Sequence, residues 1–387
     1  MIATTPVTPY YATIFTSIRK EGDDKAYELM GNQMSLLAAI LTKHHTMRKI
    51  LLTALTLLTC LVTTTFAQDN HFKHDTLRAT LTKVFQTVKQ YSVYRKQIEW
   101  NKLEDKILKE VPSPLSFEDF KRSVKLTFSS IGDKHAALFV DGKKISAIDT
   151  PVTLRSTLVN ELRNNNLQLH TRILENRYGY ILIPQNTPKN NLKQMAQAIQ
   201  DSLCKLIEKP LDGIIIDLRA NEGGSIYPLF TGLHQLIGDG VFGAFSNFDG
   251  TFKEPWKLKK GKFFQQGRKV ASVKSNCKCS NKLKIAILLS QVTASAGEML
   301  AIAFKGRGNT IFIGEKTYGL TTGNVTFKID GYLLAVSASF SEDRTGKVYN
   351  SYIMPDIEII EGDNFSNIPI DKKVLEAIKW FSSRNSR

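Results

Sequence analysis

A single serine lies in QVTASAGEML, Gln291 to Leu300, between the apolar run KIAILLS and a helix-like pattern. Ser295 and Glu298 have the i, i+3 spacing of a capping box, in which hydroxyl and carboxylate satisfy backbone N–H groups at a helix start. A hydroxyl at such a junction is equally a candidate nucleophile. A second strand-to-helix junction, DLRANEGGS from Asp217 to Ser225, carries Gly223 and Gly224, where the backbone can approach a ligand without a clashing side chain. At both junctions the first N–H groups of the helix lack intrahelical partners and can receive negative charge. Taken singly, the glycines mark a turn and Ser295 is a cap. What shifts the balance is both junctions in order, with His135 upstream in IGDKHAALF.

This combination resembles the C-terminal processing peptidases, also called tail-specific proteases, and their relatives of the tricorn-core type. DLRANEGG is similar to that family's Asp-Leu-Arg-x-Asn-x-Gly-Gly signature, TASAGE to its nucleophile motif, IGEKTYG to the segment beyond it, and MPDIEI to its Pro-Asp element. The resemblance covers roughly Tyr178 to Ile359, with His135 outside it, and four ordered motifs are far more specific than one. It implies an α/β fold with a crotonase/ClpP-like core, a sheet with covering helices, and peptide-bond hydrolysis through an acyl-enzyme. Ser295 would be the nucleophile. The backbone N–H of Ala296, with that of Gly223 or Gly224, would form the oxyanion hole, where one donor is worth about 3 kcal/mol in other enzymes. The implied substrate is a peptide or an unfolded protein, and the resemblance calls for no cofactor and no metal.

The family divides over the base. One branch uses a lysine in a Gly-Lys-Gly element, but TYGLTTG places Leu320 there, and leucine cannot accept a proton. Lys316 precedes the motif threonine and reads as a surface residue. The other branch uses a histidine in an Asp-Gly-His-like element, which makes His135 the candidate base; otherwise it is a turn histidine before a strand. His170, in LQLHTRI, is an ordinary strand histidine. Tricorn-type relatives carry an orienting glutamate six residues before the proline of the Pro-Asp element. Here Tyr349 holds that position and Asn350 follows; either can hydrogen-bond an imidazole, but neither has a carboxylate's charge, and Glu342 and Asp343 are nearby substitutes. The space between His135 and Tyr178 is too short for a full PDZ module. Two other readings stay open: a peptide-binding member impaired in catalysis, and an esterase on the same scaffold.

The elements that must position these residues are legible from periodicity. From His71 to about Leu126 apolar residues recur at helical spacing, and Ile131 to Ile145 reads as a turn and a strand hairpin. Then RYGYILIPQ, GIIIDLRA, LKIAILLS and TIFIGE read as strands alternating with helices, the pattern of a helix-covered sheet. Asn324 to Ile360 is strand-rich and is followed by the helix DKKVLEAIKWF.

The chain has 387 residues, 42% of them hydrophobic, enough for a full core. Arg48 and Lys49 after Met47, the apolar run Ile50 to Ala67 and the small Ala67 have the layout of a secretory signal peptide, which predicts export to a periplasmic or extracellular location. An uncleaved run would be the membrane's only hold on the chain. The expected organisation is a mis-assigned upstream extension at 1–46, a signal at 47–67, a helical region with the histidine hairpin at 68–150, and a catalytic core at 151–387. Net charge is +16; loss of residues 1–67 takes away 6 Lys/Arg and 4 Asp/Glu and leaves +14. Much of the excess lies in Lys257 to Cys279, read as a solvated basic hairpin or loop. It has no aromatic platform or module that would indicate nucleic acid. Cys204, Cys277 and Cys279 permit one disulfide and leave one thiol, and their spacing does not suit zinc.

Overall fold

In the computed structural model, residues 76–383 are described apart from 148–153, 166, 187–190, 248, 276 and 281. The expected extension at 1–46 and signal at 47–67 lie outside the described residues. Helix α1 (76–91) buries Leu81, Val84, Phe85 and Val88, an i, i+3, i+4, i+7 stripe, against Phe120, Val124 and Phe128 of α2 (Phe117–Ser130). The Ser116 hydroxyl caps α2 by accepting from the Asp119 N–H at 3.1 Å. The hairpin of β1 (Ala137–Val140) and β2 (Lys143–Ser146) follows, then α3 (Ser156–Asn164), β3 (His170–Leu174), β4 (Tyr178–Leu182), α4 (Leu192–Leu206), β5 (Gly213–Asp217) and α5 (Ile226–Gly232). Strands β6 (Gly240–Ser246), β7 (Lys253–Lys259), β8 (Lys262–Gln265) and β9 (Arg268–Ser272) form a meander. The remainder comprises β10 (Lys284–Leu289), α6 (Ala296–Phe304), β11 (Thr310–Gly314), β12 (Thr322–Ile329), β13 (Tyr332–Asp343), β14 (Val348–Tyr349), β15 (Ile357–Glu358) and α7 (Lys372–Ser382).

The strands form two sheets. One runs β15-β11-β10-β5-β4-β3 and is parallel except for the β3–β4 pair. Its inner strands are apolar at nearly every position because both faces are covered. Ile214 and Ile216 pack with α4, α5 and α6, whereas Ile215 faces the cluster that holds Leu158 of α3 and Val374 and Phe381 of α7. The other sheet is antiparallel, in the order β2-β1-β13-β6-β7-β8-β9, with β12 and β14 also pairing with β13. The basic segment is not a free loop. β7 alternates, sending Lys257 and Lys259 to solvent while Trp256 and Leu258 join the core, and the lysines therefore mask a buried face. Cys204 and Cys277 form a disulfide that spans 73 residues of sequence, leaving Cys279 free; closing such a loop is worth about 4 kcal/mol in the chain-entropy account.

Just beyond β5, Arg219 is wholly buried. Its guanidinium pairs with Asp217 at 2.6 Å, Asp363 at 2.8 Å and Asp371 at 2.6 Å, and lies over the Phe365 ring. Asp217 accepts from the Tyr180 hydroxyl, Asp363 also pairs with Arg155 and Lys373, and Asp371 caps α7. Burial acts to raise Asp363, yet Arg219 and Lys373 hold its carboxyl at about 2. The network fastens the 217–225 loop to the C-terminal helix. Arg219→Met strands these carboxylates and is expected to cost about 3–5 kcal/mol in denaturant unfolding. Arg177→Ala, at an exposed and solvent-screened pair with Asp212, is expected to leave the unfolding midpoint nearly unchanged. Equal losses would contradict this account.

Candidate active site

Ser295 is the residue immediately before α6, and its backbone is not that of an ordinary cap. Its φ of 51° and ψ of −115° lie far from the extended conformation that helix caps adopt, a strain of about 1–3 kcal/mol that the surroundings must hold. The Ala294 N–H donates to the Asn221 carbonyl at 2.9 Å, and the Ser295 N–H donates to the Glu298 carboxylate at 2.9 Å. Glu298 is wholly buried and accepts three more donors: the Thr317 hydroxyl, the Gly319 N–H at 2.9 Å and the Leu320 N–H at 2.7 Å. Burial pushes its carboxyl up to about 7 against the pull of these donors. The glutamate of the expected capping box is thus also a bridge between the start of α6 and the 317–320 loop.

The glycine loop abuts the serine. A Cβ on Gly223 would lie 2.9 Å from Ser295 Cβ, and one on Gly224 would lie 2.0 Å from the Asn186 carbonyl oxygen, at φ values of 122° and 116°. Only glycine fits such positions. The Gly223 N–H donates to Asn221 Oδ1 at 3.1 Å and the Ser225 N–H to Asn186 Oδ1 at 2.7 Å. Between them the Gly224 N–H has no hydrogen-bond partner among the described residues, and neither does the Ala296 N–H. Of the two glycine donors expected from sequence, Gly223 is therefore occupied and Gly224 is open.

His135 stands half-buried in the turn before β1. Its Nδ1 lies 2.9 Å from Thr322 Oγ1, at the start of β12. Burial and the Lys144 ammonium push the imidazole down to about 4, so it is neutral at pH 7. No hydrogen bond joins the ring to the Ser295 hydroxyl. The two residues are linked instead through Glu298, Leu320 and, two residues on, Thr322.

Residues 177–359 match peptidase family S41. The nisin-resistance protein of Lactococcus lactis subsp. lactis is 32% identical over 182 residues, covering 46% of this chain and 55% of that protein. The carboxyl-terminal-processing protease of Synechocystis sp. is 28% identical over 185 residues, covering 47% and 38%. The chain thus spans about half the length, or less, of these relatives. Among solved structures, a lipoprotein from Streptococcus agalactiae superposes with a TM-score of 0.58 at 22% identity, covering 79% of this chain and 96% of that one. A candidate peptidase from Parabacteroides merdae gives 0.54 at 13% identity, covering 79% and 97%. These likenesses show a shared mixed α/β fold.

The expectations for the group that orients His135 change. Tyr349 does not orient His135: its buried hydroxyl donates to Asp343 at 2.8 Å. The Asn350 side chain is exposed and makes no hydrogen bond to the ring. The group on His135 is Thr322, which no motif marked, because a strand threonine has no sequence sign until β-pairing brings it opposite the β1 turn. Among the substitutes, Glu342 pairs with Lys253, and Asp343 serves Tyr349 and Thr345. Lys316 is exposed with its ammonium over the Tyr352 ring, while Leu320 uses its backbone on Glu298.

The elevated Glu298 carboxyl gives a signed prediction. A folded-state pKa of about 7, above the ordinary 4.5, means stability that is full below pH 4.5 and fades as pH rises through 7. Relative to Glu298→Gln, the parent is expected to lose about 3 kcal/mol between pH 4.5 and 7.5 and then level off, read from paired denaturant titrations. A constant difference across that window would show that the carboxyl does not titrate there.

Proposed function

We propose that the chain is an exported serine peptidase that cleaves peptide bonds through an acyl-enzyme on Ser295, with His135 as general base. The observation that carries this reading is the pair of N–H groups, Gly224 and Ala296, without partners among the described residues, around a serine held in a strained backbone. Ser295 Oγ attacks the carbonyl carbon of the substrate, and its proton passes to His135 Nε2. The oxyanion accepts from Gly224 and Ala296, donors that are in place before the charge develops and need no reorganisation. Collapse expels the amine, which takes the proton from His135; water then deacylates the serine with the same base. A neutral imidazole suits that role, and binding of a substrate must bring it within reach of Ser295 Oγ.

The reading extends to a crotonase/ClpP-like core at 151–387, a helical region with the histidine hairpin at 68–150, and removal of 1–67. The Cys204–Cys277 disulfide supports export, since reducing compartments seldom preserve such bonds. Among the described residues no helix is long and apolar enough to cross a membrane. Open peptides or unfolded proteins are the proposed substrates. A second reading, peptide binding without turnover, is favoured by the absence of a Ser295–His135 hydrogen bond.

Steady-state cleavage of an unstructured peptide separates the two. The parent is expected to turn over and to take a fluorophosphonate label on Ser295, Ser295→Ala to do neither, and His135→Ala to lose about 10²–10⁴ in kcat/KM. Lys316→Ala is expected to match the parent. Because His135 titrates near 4, activity should persist below pH 6 and fall only towards pH 4. A parent without turnover or label would leave the binding reading, and a crippled Lys316→Ala would remove His135 as the base.

A further inference from the structure

Behind His135 a line of hydroxyls leads to a buried carboxylate. Thr322 Oγ1, 2.9 Å from His135 Nδ1, lies 3.0 Å from Ser337 Oγ on β13, and Ser337 Oγ donates to Asp133 Oδ1 at 2.6 Å. Asp133, Thr322 and Ser337 are all buried. Asp133 Oδ1 also accepts the N–H groups of His135 at 3.0 Å and Ala136 at 2.9 Å, and Oδ2 accepts the Ser337 N–H at 3.2 Å. These bonds fix the carboxylate in the turn that carries the histidine.

The direction of the line follows from counting protons. Each hydroxyl has one proton to give, and Asp133 Oδ1 has none. Ser337 therefore spends its proton on Asp133, or on Asn324 Oδ1 at 3.3 Å; both are acceptors, and either choice leaves the Ser337 lone pair facing Thr322. Thr322 must then donate to Ser337, which leaves Thr322 Oγ1 able only to accept from His135. A proton on Asp133 Oδ2 would not reverse the line, because Oδ1 would still accept. Bonds aligned in one direction also strengthen one another.

We propose that Asp133, acting through Ser337 and Thr322, locks His135 as the Nδ1–H tautomer and so presents an unprotonated Nε2, performing the orienting task that Tyr349 and Asn350 do not. All three are positioning residues, and the proposal rests on the reading of His135 as the base. The charged and titratable groups facing the line are Lys144 of β2, towards His135, and Tyr94, towards Asp133.

The test is the nitrogen-15 spectrum of His135 in the full-length protein at pH 7, assigned by comparison with His135→Gln. The parent is expected to show a protonated Nδ1 and a bare Nε2. In Ser337→Ala, which removes no contact of the ring itself, Thr322 loses its acceptor and can turn its proton to Nδ1. The Nε2–H form should then come to exceed the Nδ1–H form, and kcat on the peptide should fall about tenfold or more at unchanged KM. Thr322→Ser keeps the hydroxyl and should keep both the tautomer and kcat, whereas Thr322→Val should lose both. A parent in the Nε2–H form would overturn the proposal without any variant, and so would an Nδ1–H form that persists in Ser337→Ala. Neither result bears on acylation of Ser295, which fails separately if the parent takes no fluorophosphonate label.

Discussion

One buried carboxylate holds the candidate site together. Glu298 accepts four donors from two stretches of chain: the Ser295 N–H at the start of α6, and the Thr317 hydroxyl with the Gly319 and Leu320 N–H groups in the loop leading to β12. Without it the Ser295 N–H, at a positive φ, would lose its acceptor, and the loop would lose three of its bonds to this junction and keep that of the Tyr318 N–H to the Thr293 carbonyl. Burying a carboxylate is costly unless its lone pairs are filled, which accounts for both the density of donors and the elevated pKa.

The two sheets divide the work. The parallel sheet delivers the serine and the glycine loop at the carboxyl ends of its adjacent strands β10 and β5, the end where open α/β sheets bind ligands. The antiparallel sheet delivers His135 before β1, Thr322 on β12 and Ser337 on β13, three segments brought together by the pairing of β1 and β12 with β13. Glu298 and the 317–320 loop join the two halves. Arg219 performs the corresponding task on the other side of the glycine loop, tying β5 to α7 through three aspartates.

What could be read from the sequence is what is local. The strand-to-helix junctions at 217–225 and 293–298, the hairpin after Ile131 and the apolar strands all follow from spacing, because neighbours in sequence are neighbours in space there. The disulfide could be narrowed to one pair among Cys204, Cys277 and Cys279 but not assigned, since the choice depends on how α4 meets the segment after β9. Thr322 and Ser337 were illegible: they meet His135 and Asp133 across separations of 187 and 204 residues, and a buried hydroxyl on a strand looks like any other strand residue. Tyr349 shows the reverse error, a residue at the right motif position whose hydroxyl was taken by Asp343. Gly223 shows a finer one, since only the geometry of Asn221 reveals which glycine N–H is open.

The central claim is that Gly224 and Ala296 form a hole aimed at the oxyanion of a tetrahedral adduct on Ser295. The most direct test is a crystal structure of the protein after reaction with a fluorophosphonate, whose phosphoryl oxygen occupies the place of the oxyanion. The account predicts that oxygen at about 2.7–3.1 Å from both backbone nitrogens. An adduct on Ser295 whose phosphoryl oxygen points away from both, or contacts the Gly223 nitrogen after displacing Asn221, would contradict it.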